Sequence, residues 1–138
     1  MRKSKYMELK VGDTFTITKE VTDEAVRKFA EVSGDYNPIH LDEEFAATTR
    51  FGKRIAHGML GASFISAVLG YKLSEQKIVY LSQSLKFLAP VFIGDTVTAK
   101  AVVKDIREDK PIVTIETTCE NQNGETLITG EGKIMVLP

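Results

Sequence analysis

The sequence predicts an α+β fold in which an antiparallel sheet wraps around a long central helix. Three observations predict it. Residues 55–71 (IAHGMLGASFISAVLGY) carry no charge, although Lys53, Arg54 and Lys72 bracket them. From Ile78 onward the chain is rich in Val, Ile and Thr and partly alternates. Helical patterns gather in the first half, whereas turn signals cut the second half into consecutive strands. A helix apolar on nearly every face is buried all round, in a core or in lipid. Lipid requires about 20 predominantly apolar residues; this run is shorter and contains His57, Ser63, Ser66 and three glycines. It belongs inside a protein core.

The elements follow in order. Residues 14–18 (TFTIT) alternate after the Gly12–Asp13 turn and form a first strand. Thr22 can cap a helix whose first turn holds Asp23 and Glu24, where the positive helix end favours them. Val26, Phe29, Ala30 and Val32 recur at helical spacing, and Gly34 ends the helix. Pro38 cannot continue it: the ring lacks the amide proton and pushes Asn37 out of the helical region. A short helix starts near Asp42 with Phe45, Ala46 and Ala47, and stops before Phe51–Gly52. In the long helix, Gly58 and Gly61 let backbone or ligand approach the first turn.

Four strands are expected at 78–89, 96–106, 112–120 and 125–136, with the clearest period of two at Val97, Ala99, Ala101 and Val103. Pro90 with Gly94–Asp95, then Asp109–Lys110–Pro111, then Asn123–Gly124 separate them; the last is a strong hairpin signal. Hairpin-linked strands make an antiparallel sheet that the early strand can join. One helix covers only part of such a sheet and keeps apolar faces of its own. Two copies would bury both surfaces, so a homodimer is expected.

A chain of 138 residues is expected to be one domain, 1–138, able to bury roughly 68% of its unfolded surface. Hydrophobic content of 43%, charged content of 27% and net charge −1 are those of an ordinary globular protein. The eighteen Lys and Arg are scattered, whereas a nucleic-acid binder concentrates them in a stripe. No nucleic-acid or membrane partner is expected. No apolar segment follows the basic start MRKSKY, which argues against a secretory signal. The single cysteine, Cys119, suits a reducing compartment and reads as a small apolar strand residue. A cytoplasmic location follows.

The stretch able to do chemistry is residues 33–40 (SGDYNPIH). Asp35 and His40 would not share a face of a straight helix, but the bend at Pro38 can converge them on one water. Imidazole titrates near neutrality, so the two form a general acid–base pair. Asn37 would bond the loop or the pair. The same spacing also suits a purely local role, with Asp35 and Asn37 satisfying turn amides and His40 half-buried; both readings stand at this level. At His57–Gly58 the free amides of a helix start favour developing negative charge and could polarise a carbonyl, or His57 could simply pack or cap. Ser66, two turns on, could serve the site or bond back to the preceding turn. Metal spacing, phosphate loops and a Gly-x-Ser-x-Gly elbow are missing from the sequence. Proton transfer is the chemistry left, and no cofactor or metal is expected.

Residues 33–60 (SGDYNPIHLDEEFAATTRFGKRIAHGML) resemble the hydratase motif of the MaoC-like (R)-specific enoyl-CoA hydratases. The resemblance continues through the helix into QSLKFLAPVFIGDTVTA at 83–99, and D-x-N-P-x-H followed seventeen residues later by H-G-M is specific in combination. It implies a hot-dog fold, a homodimer with active sites near the interface, and an acyl-CoA thioester substrate. The implied reaction is reversible syn addition of water to a trans-2-enoyl-CoA, giving an (R)-3-hydroxyacyl-CoA. By the same resemblance Asp35 and His40 are the catalytic pair and Gly58 binds the thioester oxygen through its amide. Ser66, Asn37 and His57 then support the pair. A dehydratase of acyl-carrier-protein thioesters would use the same dyad, and a non-catalytic acyl-CoA-binding dimer or a thioesterase are further alternatives. Lys53 and Arg54 stand where the family more often has small residues and Pro. They either contact the phosphates of coenzyme A or are solvated, and solvation is the preferred expectation.

Overall fold

In the computed structural model, which describes residues 9–73 and 77–138, the chain runs β1 (Thr14–Glu20), α1 (Asp23–Ser33), α2 (Pro38–Leu41), α3 (Glu43–Ala47) and α4 (Gly58–Lys72), then five strands. These are β2 (Lys77–Gln83), β3 (Lys86–Phe87), β4 (Thr96–Ile106), β5 (Ile112–Glu120) and β6 (Thr126–Leu137). The basic start MRKSKY lies outside the described residues. Every pairing is antiparallel, in the order β1-β4-β5-β6-β2, with β3 also on β6. The expected meander β4–β5–β6 and the docking of the early strand on β4 are both present. Alternation explains the sheet's inner face: Val97, Ala99, Ala101 and Val103 are at most 1% exposed, as are Val113, Ile115 and Cys119 on β5.

Helix α4 fills the concave side of that sheet. Leu60, Phe64, Ile65, Val68 and Leu69 are buried in the same cluster as the inward strand residues. The Cys119 thiol reaches the Gly61 carbonyl at 3.7 Å, and a Cβ on Gly61 would meet Ile128 of β6 at 3.0 Å. Sheet and helix therefore adopt the hot-dog arrangement. Among the described residues no helix is long and apolar enough to cross a membrane.

Several boundaries differ from expectation for identifiable reasons. The long helix starts at Gly58, three residues late, because Ile55 bridges Phe92 and the Ala56 amide donates to Val91 O at 2.7 Å. A short apolar run does not distinguish helix from strand. Nor is α4 buried all round in the single chain, since Met59 is 56% and Tyr71 69% exposed. Helix α2 was not expected; Pro38 sits at its start, where the missing amide proton costs nothing. Val32 lies off the buried face of α1, whose inward residues are Val26 and Ala30. The loop at Asn123–Gly124 is longer than a two-residue turn. The Gly124 amide donates to Asn121 O, and Asn121 Oδ1 accepts the amides of Asn123 and Glu125.

The strand expected at 78–89 divides into β2 and β3 after an irregular register at Tyr80/Ser82. There the Ser84 amide donates to Glu131 O at 2.9 Å, and a Cβ on Gly130 would lie 1.9 Å from Ser84 O. Only a glycine permits this backbone crossing. Gly130→Ala is expected to lower stability by about 1–3 kcal/mol or more, as over-packing does; an unchanged urea midpoint would contradict this close approach. The crossing matters because it delivers Phe87 of β3 to the start of α4.

Candidate active site

Gly34 closes α1 in the left-handed region at φ 84° and turns the chain into the Asp35–Asn37 loop. Both turn roles foreseen for that loop are real. Asp35 Oδ1 accepts the Asn37 amide at 3.1 Å, and Asn37 Oδ1 accepts the Ile39 amide at 3.0 Å. Asp35 is nevertheless exposed, and its Oδ2 makes no hydrogen bond among the described residues. One carboxylate oxygen remains for a ligand.

The segment 54–57 clamps this loop through four hydrogen bonds. Arg54 Nε–H donates to His40 O at 2.7 Å, and the Ile55 amide donates to Ile39 O at 3.3 Å. His40 Nδ1–H donates to Ile55 O at 2.8 Å, and His57 Nε2–H donates to the Asp35 carbonyl at 2.9 Å. A carbonyl can only accept, so His40 carries its proton on Nδ1 and presents the Nε2 lone pair. His57, 2% exposed, is packed rather than capping. Its ring stacks on His40 at 3.9 Å and 27°, with Phe29 tilted against it at 4.8 Å. His57 Nδ1 is buried without a hydrogen-bond partner among the described residues.

Burial pushes the His40 imidazole below its ordinary value of 6.5, helped by the neighbouring His57 and Arg54; the Ile55 carbonyl and Asp35 act the other way. The neutral ring is therefore favoured near neutrality, as a proton acceptor requires. Because the folded protein binds this proton less readily than the unfolded chain, His40 lowers stability as pH falls through the unfolded value. The acid limb of a His40-dependent rate is expected below pH 6.5, in line with a C2-proton NMR titration of the same ring. A limb above that value would contradict the assignment.

Ligand atoms of Asp35, His40 and His57 lie within 4.8 Å of one another, close enough in distance for a metal. Their orientation suits one poorly. The two imidazoles are stacked, with centroids 3.9 Å apart and planes tilted by 27°, so an ion in the plane of one ring is out of plane for the other.

Gly58 begins α4, where first-turn amides lack intrahelical partners; its own amide donates no hydrogen bond among the described residues. Beside it opens a cleft of about 290 Å³ walled by Phe51, Ile55, Ala56, Phe87, Val91 and Ile128. A Cβ on Gly58 would meet the Phe87 ring at 2.9 Å. The structure thus gathers Asp35, Asn37, His40, His57 and Gly58. Ser66 is not brought to the pair: it lies exposed on α4 and bonds neither residue within this chain, while Ser63 takes the back-bonding role, donating to Leu60 O.

Solvation of Lys53 and Arg54 holds for one of the two. Lys53 is exposed over the Phe92 ring, but Arg54 is 8% exposed and ion-paired with Asp23. Sequence reasoning overlooked Phe87, and it weighed Arg54 only as a coenzyme A contact or a solvated charge, not as a partner of the His40 carbonyl. Arg54 carried a faint signal, a cation placed against an apolar run, whereas the approach of Phe87 to Gly58 is a tertiary fact without a local signature.

Residues 8–124 match the model of the MaoC like domain. The chain belongs to this MaoC-like family. It is 46% identical over 131 residues to an (R)-specific enoyl-CoA hydratase of Rhodospirillum rubrum, covering 95% of this chain and 90% of the relative. A second (R)-specific enoyl-CoA hydratase, from Aeromonas caviae, is 47% identical over 126 residues, covering 91% and 94%. The solved (R)-hydratase of A. caviae, described as involved in PHA biosynthesis, superimposes with a TM-score of 0.91 at 46% identity, covering 96% of this chain and 99% of that one. MaoC-like membership agrees with the sheet wrapped on α4 and with the loop–helix junction just described.

Proposed function

We propose that this chain is an (R)-specific enoyl-CoA hydratase, a hydro-lyase that adds water reversibly and syn to a trans-2-enoyl-CoA. One observation carries the reading. An Asp35 carboxylate oxygen and a His40 nitrogen lie within 4.8 Å of each other. A single water can hydrogen-bond to both at ordinary lengths of about 2.7–3.0 Å. The names of the relatives support the substrate class.

In this mechanism Asp35 orients the water and the free Nε2 of His40 takes its proton as the oxygen attacks C3. Electron density moves from the alkene through C2 onto the thioester oxygen, where the Gly58 amide stabilises it. The imidazolium then returns the proton to C2, which restores the neutral ring and completes the (R)-3-hydroxyacyl-CoA. Atoms balance without redox or group transfer, so the addition calls for no cofactor. Asn37 holds the bend, His57 backs the His40 ring, and the apolar cleft beside Gly58 suits an acyl chain.

The working unit is a homodimer built from one domain per chain. β2 is an edge strand whose Val79 and Leu81 are 42% and 45% exposed, and Phe87, Leu88 and Met59 add apolar surface beyond it. An unprotected apolar edge invites pairing with a second copy. A cytoplasmic setting fits the lone Cys119, whose buried thiol is pushed up to about 12.

Loss of enoyl-thioester absorbance with crotonyl-CoA tests the activity, and light scattering tests the dimer. Rapid loss and a two-chain mass are expected, with Leu81→Lys shifting the mass toward one chain. Turnover confined to acyl-carrier-protein thioesters would reassign the carrier, ligand binding without turnover would make the chain a binding module, and release of free CoA would indicate a thioesterase.

A further inference from the structure

Arg54 is a buried cation to which the hydration chemistry gives no task, and its contacts are unusually specific. The Nε–H donates to the His40 carbonyl at 2.7 Å while Nη2 meets Asp23 Oδ1 at 2.5 Å; Glu43 stands 3.9 Å from Nη1. One guanidinium fork therefore joins α1, α2 and α3. Helix α2 spans only four residues, far too few to be stable alone, so the placement of His40 must come from outside it. Ile55, which follows Arg54 directly, accepts the His40 Nδ1–H. The side chain of Arg54 holds the histidine's backbone and the next carbonyl holds its ring.

We propose that Arg54 is a positioning residue for His40, anchored by Asp23 and acting through the His40 carbonyl. The inference rests on the hydratase reading. Planar, forked geometry is what the role demands, since an acceptor on α2 and a carboxylate on α1 must be served together; an ammonium supplies the charge without the fork. Asp23 has a second partner, Arg27 at 3.0 Å, which shares no hydrogen bond or ion pair with His40 among the described residues. Arg27 thus provides an internal control on the same carboxylate.

The experiment compares Arg54→Gln, Arg54→Lys, Asp23→Asn and Arg27→Gln for kcat, KM, thermal midpoint and the His40 ring signals in NMR. Arg54→Gln is expected to lower kcat by about tenfold to a hundredfold, the scale of an ångström-level misplacement, with KM within about twofold. The Nδ1–H signal should move as the bond to Ile55 loosens. The His40 titration should rise, because Arg54 is one of the charges facing the ring, with Asp35 and His57 beside it and Asp23 and Glu43 behind. Arg54→Lys should restore the titration but not kcat. Asp23→Asn, which keeps the bond to His40, should lose less and in the same direction, and covers the case in which Arg54→Gln does not fold. Arg27→Gln should leave kcat and the ring signals unchanged.

Wild-type kcat in a folded Arg54→Gln, an equal loss in Arg27→Gln, or full rescue of kcat by Lys would overturn the proposal. If the wild type hydrates no enoyl thioester, the functional reading fails on its own. The ring signals of wild type and Arg54→Gln still decide whether Arg54 positions His40.

Discussion

Asp35→Asn and His40→Gln are each expected to lower kcat for crotonyl-CoA hydration by about 10²–10⁴-fold, the usual contribution of positioned proton transfer. The changes are chosen to preserve the loop. An asparagine at 35 keeps an oxygen able to accept the Asn37 amide, as Asp35 Oδ1 does at 3.1 Å. A glutamine at 40 keeps a donor for Ile55 O, which takes the His40 Nδ1–H at 2.8 Å. Far-ultraviolet dichroism should therefore be unchanged while the absorbance assay fails. The double variant should lose little more than either single one, because residues that act as a unit are strongly non-additive. Independent, multiplying losses would instead mean that the two do not share one water. Activity retained in both single variants would move the chemistry away from this loop.

The sequence made the sheet legible because its inward face obeys one rule. Val97, Ala99, Ala101 and Val103 recur at every second position, between the less buried Thr98, Lys100 and Val102, and all four are buried. Thr22 and Gly34 likewise announce the ends of α1 by local chemistry, a side-chain cap at one end and a left-handed residue at the other. What stayed hidden depends on contacts between distant segments. The break between β2 and β3 exists because Ser84 crosses Gly130, forty-six positions later in the chain. The burial of Arg54 depends on Asp23 and on the His40 carbonyl, thirty-one and fourteen residues away. In the site itself, Asp35 and His40 stood out by type and spacing, yet spacing could not say whether they turned the loop or faced a ligand. The structure shows that Asp35 does the first with Oδ1, while Oδ2 has no hydrogen-bond partner among the described residues. The family resemblance implied that His57 supports the pair, but the stacking of its ring on His40 could not be read from two histidines seventeen residues apart.

Gly58→Pro should isolate the third element of the proposed site, the amide proposed to bind the thioester oxygen. Proline removes the N–H and nothing else that the helix uses. Position 58 is the first residue of α4, where an amide has no intrahelical partner and proline is favoured. His57 before it is extended at φ −60° and ψ 134°, as a residue preceding proline prefers. The added carbons do meet the Phe87 ring, since a Cβ would come within 2.9 Å of it. Gly58→Ala brings the same Cβ but keeps the amide, and Phe87→Ala relieves both. Comparing Gly58→Pro with Gly58→Ala in the Phe87→Ala background therefore removes the steric part. Alanine is expected to retain most of kcat, and proline to lose about 10²–10³-fold, equivalent to about 2.7–4 kcal/mol for one oxyanion donor. Bulk alone would raise KM, whereas a missing donor lowers kcat, because charge reaches the thioester oxygen only as the water adds. Equal kcat values for the two variants would show that the Gly58 amide does not carry that charge.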